Sequence, residues 1–327
     1  MIVSVAPPAR RLYRQRLAGD CCLLPPSRGR SSRRAASATL RDTLECVPVI
    51  RLLRPAQWLK NGFVLAPLIF SRSFTSTTAV LHSLAAFAIF CGAASVGYII
   101  NDLFDRESDR AHPVKRLRPI ASGEISIRAA IAIVVISTPI LLAAAFFISP
   151  KFLLAVALYL GLTTFYSIRL KTMPIIDLFA IATGFVLRVW GGAVAIDVVL
   201  SVWMFITTLS LALYLAATKR RQELLTSTAA GGFRAVLQHY TVALMDYYSG
   251  IAVVATFVFY GLYIVTVRPQ LAATVPVVLF GVFRYRYLLE ISHDESPTDR
   301  LVRDPQMILC ALLWAAIAVL VLYFEPS

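Results

Sequence analysis

The chain is short of charge. Of its 327 residues, 15% are Asp, Glu, Lys or Arg and 58% are hydrophobic, with a mean hydropathy of +0.72. That shortage excludes an ordinary soluble domain, which needs far more polar surface around a core of this size. Acids are the scarcer sign, 18 against 32 Lys and Arg, for a net charge of +14. Cysteine is sparse and badly spaced. Cys21, Cys22, Cys46, Cys91 and Cys310 form no Cys-x-x-Cys pair and have no His at zinc spacing, so neither a disulfide framework nor a metal knuckle is implied. The four His form no catalytic triad with Ser or Asp, and no internal repeat is visible.

Long apolar runs are abundant instead. Residues 81–100, 129–148, 175–196, 202–218 and 250–267 carry almost no charge. Each can cross a hydrocarbon layer of roughly 30 Å at about 1.5 Å per residue. In lipid such segments must be helical, because no water satisfies the backbone. The pattern predicts an all-α polytopic membrane protein with about nine spans, near 56–72, 80–103, 127–149, 152–170, 174–196, 200–219, 248–267, 270–287 and 306–324. The first is the weakest, since Lys60 and Asn61 interrupt it and Pro67 follows. Residues 230–247 read as an amphipathic helix on the membrane surface, and Trp58 as an interfacial belt residue.

Residues 1–50 differ from the rest. They are rich in Arg, Ser, Ala and Pro, poor in acids, and have no apolar run of signal-peptide length. They read as a disordered basic arm before a membrane domain at 51–327. Basic residues then alternate between loops. Arg106 to Arg128, Arg169 and Lys171, Lys219 to Arg234, and Arg284 to Arg303 fall on one side; only Arg72, Lys151 and Arg268 fall on the other. The richer side is cytoplasmic by the positive-inside rule, which places the N-terminus inside and the C-terminus outside; the expected location is the plasma (inner) membrane. In this setting the positive charge faces lipid head groups or anionic substrates, not nucleic acid.

Chemistry concentrates at that side. Asn101, Asp105 and Asp109 recur every four residues, with Asp102 on the flank, so on a helix they share a face. Carboxylates this close repel unless cations neutralise them, and hard oxygens in this pattern suit Mg²⁺ shared with substrate phosphates. A stiff basic loop follows, His112 to Ile120, in which Pro113 and Pro119 bracket Lys115, Arg116 and Arg118. Mg²⁺ with Arg and Lys is a recurring clamp for diphosphates. Tyr166 and Lys171 close the fourth span, Asp177 opens the fifth, and Lys219, Arg220 and Glu223 end the sixth. Arg54, Lys60 and Asn61 open the first. Arg188 lies three turns into an apolar span, where a charge is costly and marks either a ligand site or a packing charge paired with a carboxylate.

The Asn-Asp-x-x-Asp-x-x-x-Asp signature at Asn101, Asp102, Asp105 and Asp109 resembles that of the UbiA-type intramembrane prenyltransferase superfamily, over roughly residues 50–325. Arg54-Pro55-x-Gln57-Trp58-x-Lys60-Asn61, Lys115-Arg116-x-Arg118-Pro119-Ile120-Ala121-Ser122-Gly123, Tyr166-Ser167-x-x-Leu170-Lys171, Lys219-Arg220-x-x-Glu223 and Arg303-Asp304 are similar to the branch that transfers phosphoribose to a polyprenyl (decaprenyl-type) phosphate. The second acidic motif usual in quinone and haem prenyltransferases, Asp-x-x-x-Asp, is incomplete, because Ile181 stands four after Asp177.

The resemblance implies a UbiA-like nine-helix bundle with a cytoplasmic-face site and a Mg²⁺-dependent pentosyltransferase. Phosphoribosyl pyrophosphate and a polyprenyl phosphate would be its substrates, in the making of a cell-envelope arabinose donor. It implies that Asn101, Asp102, Asp105 and Asp109 hold the metal. Lys115, Arg116, Arg118, Lys171, Lys219 and Arg220, with Glu223 beside them, would clamp phosphates. Tyr166 and Asp177 would orient the ribose or a second ion. Lys60, Asn61 and Arg188 would take the lipid phosphate or the 5-phosphate. Prenyl transfer to an aromatic acceptor is the runner-up, and a lipid or small-molecule transporter is the alternative of another class. A homo-oligomer stays open.

Overall fold

The structure, a computed structural model, describes residues 48–230, 235–291 and 304–324. The described chain is helical, with no strand among the described residues. Its helices are α1 (Pro48–Leu53), α2 (Ala66–Phe70), α3 (Thr77–Phe104), α4 (Arg106–Ala111), α5 (Pro119–Ser122), α6 (Ile127–Ile148), α7 (Pro150–Ile168), α8 (Ile176–Ala195), α9 (Val202–Ala230), α10 (Val242–Val267), α11 (Val275–Ile291) and α12 (Pro305–Tyr323). Eight of the described helical segments are long and apolar enough to cross a membrane: α3, α6 to α10, α11 with the 3-10 turn before it, and α12. Residues 1–47, which hold nearly all of the expected basic arm, and Arg303 lie outside the described residues.

Side-chain caps start the long helices. Ser76, Ser126, Ser149, Thr241 and Asp304 accept from the backbone N–H three residues on, at 3.4, 3.2, 3.0, 3.1 and 2.9 Å. Each cap satisfies one orphan donor and fixes where a span begins. Helices α3 and α8 bury most of their length and form the centre, while α6 and α12 bury very little. An apolar helix that buries so little of itself is faced by lipid. Phe90 on α3 packs edge-on against Phe152 and Tyr159 of α7, at 5.8 and 5.4 Å.

Four expectations change here. The first span is not one regular helix: Pro55–Leu65 is a 3-10 segment, and only Ala66–Phe70 is α-helical. Lys60, Asn61 and Gly62 make a poor helix in lipid, so neighbours hold the segment instead. Trp58 Nε1 donates to Ser95 Oγ of α3 at 3.0 Å, which makes Trp58 a pin within the bundle. A Cβ on Gly192 of α8 would lie 1.9 Å from the Val64 carbonyl oxygen, so only glycine lets this backbone press so close. Second, α9 runs on to Ala230, so Lys219, Arg220 and Glu223 are inside the helix and not at its end. Third, the expected surface helix at 230–247 breaks up, with Ala235–His239 a 3-10 turn and Val242 already the start of α10. Fourth, Arg284 and Arg286 sit within α11, not in a loop.

Candidate active site

The acidic motif does not lie on one continuous helix. Helix α3 stops at Phe104, Asp105 takes φ −89° and ψ 2°, and α4 starts at Arg106. Ser108 Oγ donates to the Asp105 carbonyl at 2.8 Å and supports the break. The four-residue spacing survives it, because Asp105 N donates to Asn101 O at 2.9 Å and Asp109 N to Asp105 O at 2.8 Å.

Each carboxylate of the motif meets a cation brought from elsewhere. Arg54 Nη2 donates to both oxygens of Asp102, at 2.5 and 2.8 Å. Arg118 Nη1 donates to Asp102 Oδ1 at 3.1 Å and to Asp109 Oδ2 at 2.6 Å, so two buried carboxylates converge on one nitrogen. Lys171 pairs with Asp105 Oδ1, and Asn101 Nδ2 donates to Asp105 Oδ2 at 3.0 Å. The basic loop is shaped by His112, whose Nδ1 accepts from the N–H of Val114 and Lys115 at 3.2 and 3.3 Å. Burial and the Lys115 charge hold the His112 pKa below its usual value.

The acids, read with their cations, fit a magnesium ion in part. They are hard oxygens that already gather around positive charge. Among the described residues no three His, Cys, Asp or Glu side chains form a finished cage. Mg²⁺ is commonly bound that way, by one or two carboxylates with substrate phosphates and water completing the shell.

A cavity of about 420 Å³ opens beside this cluster, within the range of roughly 300–1,000 Å³ typical of small-molecule sites. Six residues nominated from the sequence line it: Lys60, Asn101, Arg118, Tyr166, Arg188 and Lys219. Arg54, Tyr98 and Tyr159 line it too and were not nominated. Arg54 had a signal, the Arg-Pro pair before the first span. Its backbone is left-handed at φ 53°, and its guanidinium lies 5.1 Å from the Tyr98 ring centroid. A non-glycine residue in that region is strained and is held there by its surroundings. Tyr98 and Tyr159 had only spacing to mark them, one turn before Asp102 and two before Tyr166.

Other nominated residues lie away from the cavity wall. Arg116 is exposed on the basic loop, and Lys115 is half-buried there. Asp177 and Arg220 are both 0% exposed and bond to each other, Arg220 Nε to Asp177 Oδ2 at 2.8 Å. Arg220 also donates to Glu223 Oε2 at 2.6 Å and to the Tyr166 hydroxyl at 2.9 Å. The Tyr240 hydroxyl donates to Asp177 Oδ1 at 2.6 Å, and burial with that bond pushes the phenol pKa up. The pair is linked to the cavity wall through Tyr166, which lines it. Arg188 sits deep on α8, bonded to Asn61, Tyr159 and Gly184.

The UbiA prenyltransferase family pattern matches residues 64–317. The chain belongs to the UbiA prenyltransferase family. It is an integral membrane enzyme of that family, and its all-α fold is the family's. The decaprenyl-phosphate phosphoribosyltransferase of Corynebacterium glutamicum is 30% identical over 291 residues, 85% of this chain and 87% of its own. That of Mycolicibacterium smegmatis is 30% identical over 295 residues, 85% of this chain and 93% of its own. A UbiA homologue from Archaeoglobus fulgidus, solved bound to DMAPP and Mg²⁺, superposes with a TM-score of 0.68 at 19% identity, covering 85% of this chain and all of that one.

Proposed function

We propose that this UbiA-family enzyme transfers the 5-phosphoribosyl group from phosphoribosyl pyrophosphate to a polyprenyl phosphate of the decaprenyl type. It does so with Mg²⁺ at the cytoplasmic face of the plasma membrane, with residues 51–327 as the catalytic unit. The observation that carries the reading is the cluster at the cavity mouth, where Arg54, Arg118 and Lys171 meet Asp102, Asp105 and Asp109. The two relatives, which match along most of their length, support the choice of donor.

The chemistry asks little of a base. An anionic oxygen of the lipid phosphate forms a bond to C1 of the ribose as the bond from C1 to the pyrophosphate oxygen breaks. The electron pair leaves with pyrophosphate. Asn101, Asp102, Asp105 and Asp109 would hold Mg²⁺, which supplies charge neutralisation on the leaving group. Arg54, Arg118 and Lys171 bind and orient the phosphate oxygens, and Lys219 adds charge at the rim. Tyr166, its hydroxyl fixed by Arg220, positions the ribose.

Prenyl transfer to an aromatic acceptor is the weaker reading. Its usual second acidic motif is reduced here to Asp177, whose carboxylate is engaged by Arg220 and Tyr240. The deciding assay supplies membranes with labelled phosphoribosyl pyrophosphate and polyprenyl phosphate. Labelled lipid and free pyrophosphate are expected, and Asp105→Asn should abolish the Mg²⁺-dependent turnover. Absence of labelled lipid, with label passing instead from a prenyl diphosphate to an aromatic ring, would overturn the reading.

A further inference from the structure

Ile175, just before α8, has a backbone that few β-branched residues adopt. Its φ is 67° and its ψ −47°, and Ile176 N donates to the Pro174 carbonyl at 2.7 Å. That combination is a γ-turn of the rare, strained hand. A branched side chain at positive φ stays there only where its surroundings hold it. The side chain itself is 46% exposed, so core packing does not do so. A hydrogen bond does: the Ile175 N–H donates to the Tyr240 hydroxyl at 2.5 Å.

Tyr240 holds the turn from a firm base. It is buried, it directly follows the 3-10 turn Ala235–His239, and it packs in one apolar cluster with Val236, Leu237, Leu178 and Met245. Its hydroxyl accepts from Ile175 on one side of the turn and donates to Asp177 Oδ1 on the other, at 2.6 Å. A phenol can fill both roles at once.

Two lines of contact leave the turn. One runs through Asp177 and Arg220 to Tyr166, and it keeps the Arg220–Asp177 pair when the phenol oxygen is lost. The other runs back along the chain. Lys171, which pairs with Asp105, lies four residues before Ile175 in the 3-10 turn Leu170–Thr172. Met173 N donates to Leu170 O at 3.1 Å and Asp177 N to Met173 O at 3.0 Å, so the stretch between is stiff and passes a shift at Ile175 on to Lys171.

We infer that Tyr240 is a positioning residue whose hydroxyl locks the strained turn at Ile175 and so sets Lys171 against Asp105 at the cavity mouth. The inference rests on the proposed function for the anion that Lys171 would meet there.

The test uses purified full-length protein in detergent. Tyr240→Phe keeps the ring and removes the bond. With Mg²⁺ present it should weaken pyrophosphate binding by about 3- to 10-fold, the worth of a hydrogen bond. In a Lys171→Ala background the same change should cost less than about 2-fold, because the residue it acts through is gone. Glycine adopts positive φ without strain, so adding Ile175→Gly to Tyr240→Phe should restore much of the affinity. An additive cycle, or unchanged affinity in Tyr240→Phe, makes Tyr240 a packing residue and overturns the inference. If Tyr240→Phe alone does not fold, recovery of folding and binding on adding Ile175→Gly supports the inference, and no recovery overturns it.

A second readout needs no ligand. Acylation of Lys171 by an amine reagent, followed by mass spectrometry, should quicken by about 3- to 10-fold in Tyr240→Phe as the turn relaxes. Lys151, whose side chain is 73% exposed, is the internal reference and should react equally in both proteins. Equal rates at Lys171 overturn the inference. If wild-type protein binds no pyrophosphate, the proposed function fails separately, and the acylation rates decide the role of Tyr240.

Discussion

Two acidic stations sit at the same end of the bundle and have opposite relations to the cavity. Asp102 and Asp109 are nearly buried, yet their partners Arg54 and Arg118 line the cavity. A ligand that enters can draw those cations to itself and release the carboxylates to another ion. Asp177 is paired with Arg220, which has no exposed surface, and its other oxygen is taken by Tyr240. Nothing that enters the cavity meets that pair directly. Acid–base pairing alone therefore does not open a station to a ligand; access to the cationic partner does.

The largest effect on stability is expected at the sealed station. Arg220→Met leaves the Asp177 carboxylate buried with only a phenol to bond it, at a cost of about 3–5 kcal/mol. Asp177→Asn combined with Arg220→Met should cost less than the two single changes added together, because no charge is then stranded. Thermal or chemical unfolding in detergent measures both. An additive double variant would show that the two side chains are not coupled as the geometry requires.

At the open station the expected loss is in turnover. Asp109→Asn should lower kcat/KM by about 10²–10³-fold, the usual scale for removing one preorganised electrostatic group. The unfolding midpoint should move little, since Arg118 keeps its bond to Asp102. A large fall in stability with normal residual turnover would make the two stations alike and remove the contrast.

The close approach of backbone at the far end of α8 from Asp177 can be tested by itself. Gly192→Ala places a methyl against the Val64 carbonyl, which must move. Forced packing of this kind costs about 1–3 kcal/mol. The displaced segment carries Lys60 and Asn61, so substrate affinity should fall along with stability. Unchanged affinity in a destabilised variant would mean that the segment holds the fold without placing those residues.

Much of the fold was legible because lipid leaves the backbone few options. Five of the expected spans, those of α3, α6, α7, α8 and α12, could be placed to within three residues at both ends by apolar length alone. The first span failed because its polar residues face inward. Asn61 bonds Cys91 and Arg188, 30 and 127 residues away, and no local pattern reports such contacts. The sixth span was cut short because charge was read as a helix end, whereas Arg220 and Arg221 are paired inside the bundle. The acidic motif could be read from its spacing. Its cations could be listed but not matched to their acids, since the Asp105–Lys171 pair spans 66 residues. Tyr240 carried no signal, because its role depends on a 3-10 turn where a surface helix was expected.

The smallest expected effect concerns pH and belongs to the open station alone. His112 accepts two backbone N–H groups through Nδ1, which only the neutral ring can do. Its folded pKa lies below the ordinary value of about 6.5, so the fold favours the neutral form. That contribution is complete above about pH 6.5 and is lost as pH falls through the lowered folded pKa. The loop that carries Arg118 should then loosen, and turnover should show an acid limb while the Asp177–Arg220 station is unaffected. In His112→Asn the amide oxygen can accept the same N–H groups without titrating, so the limb should flatten. Superimposable pH profiles of the two proteins would remove His112 from the account of the loop and leave Pro113 and Pro119 as the residues that stiffen it.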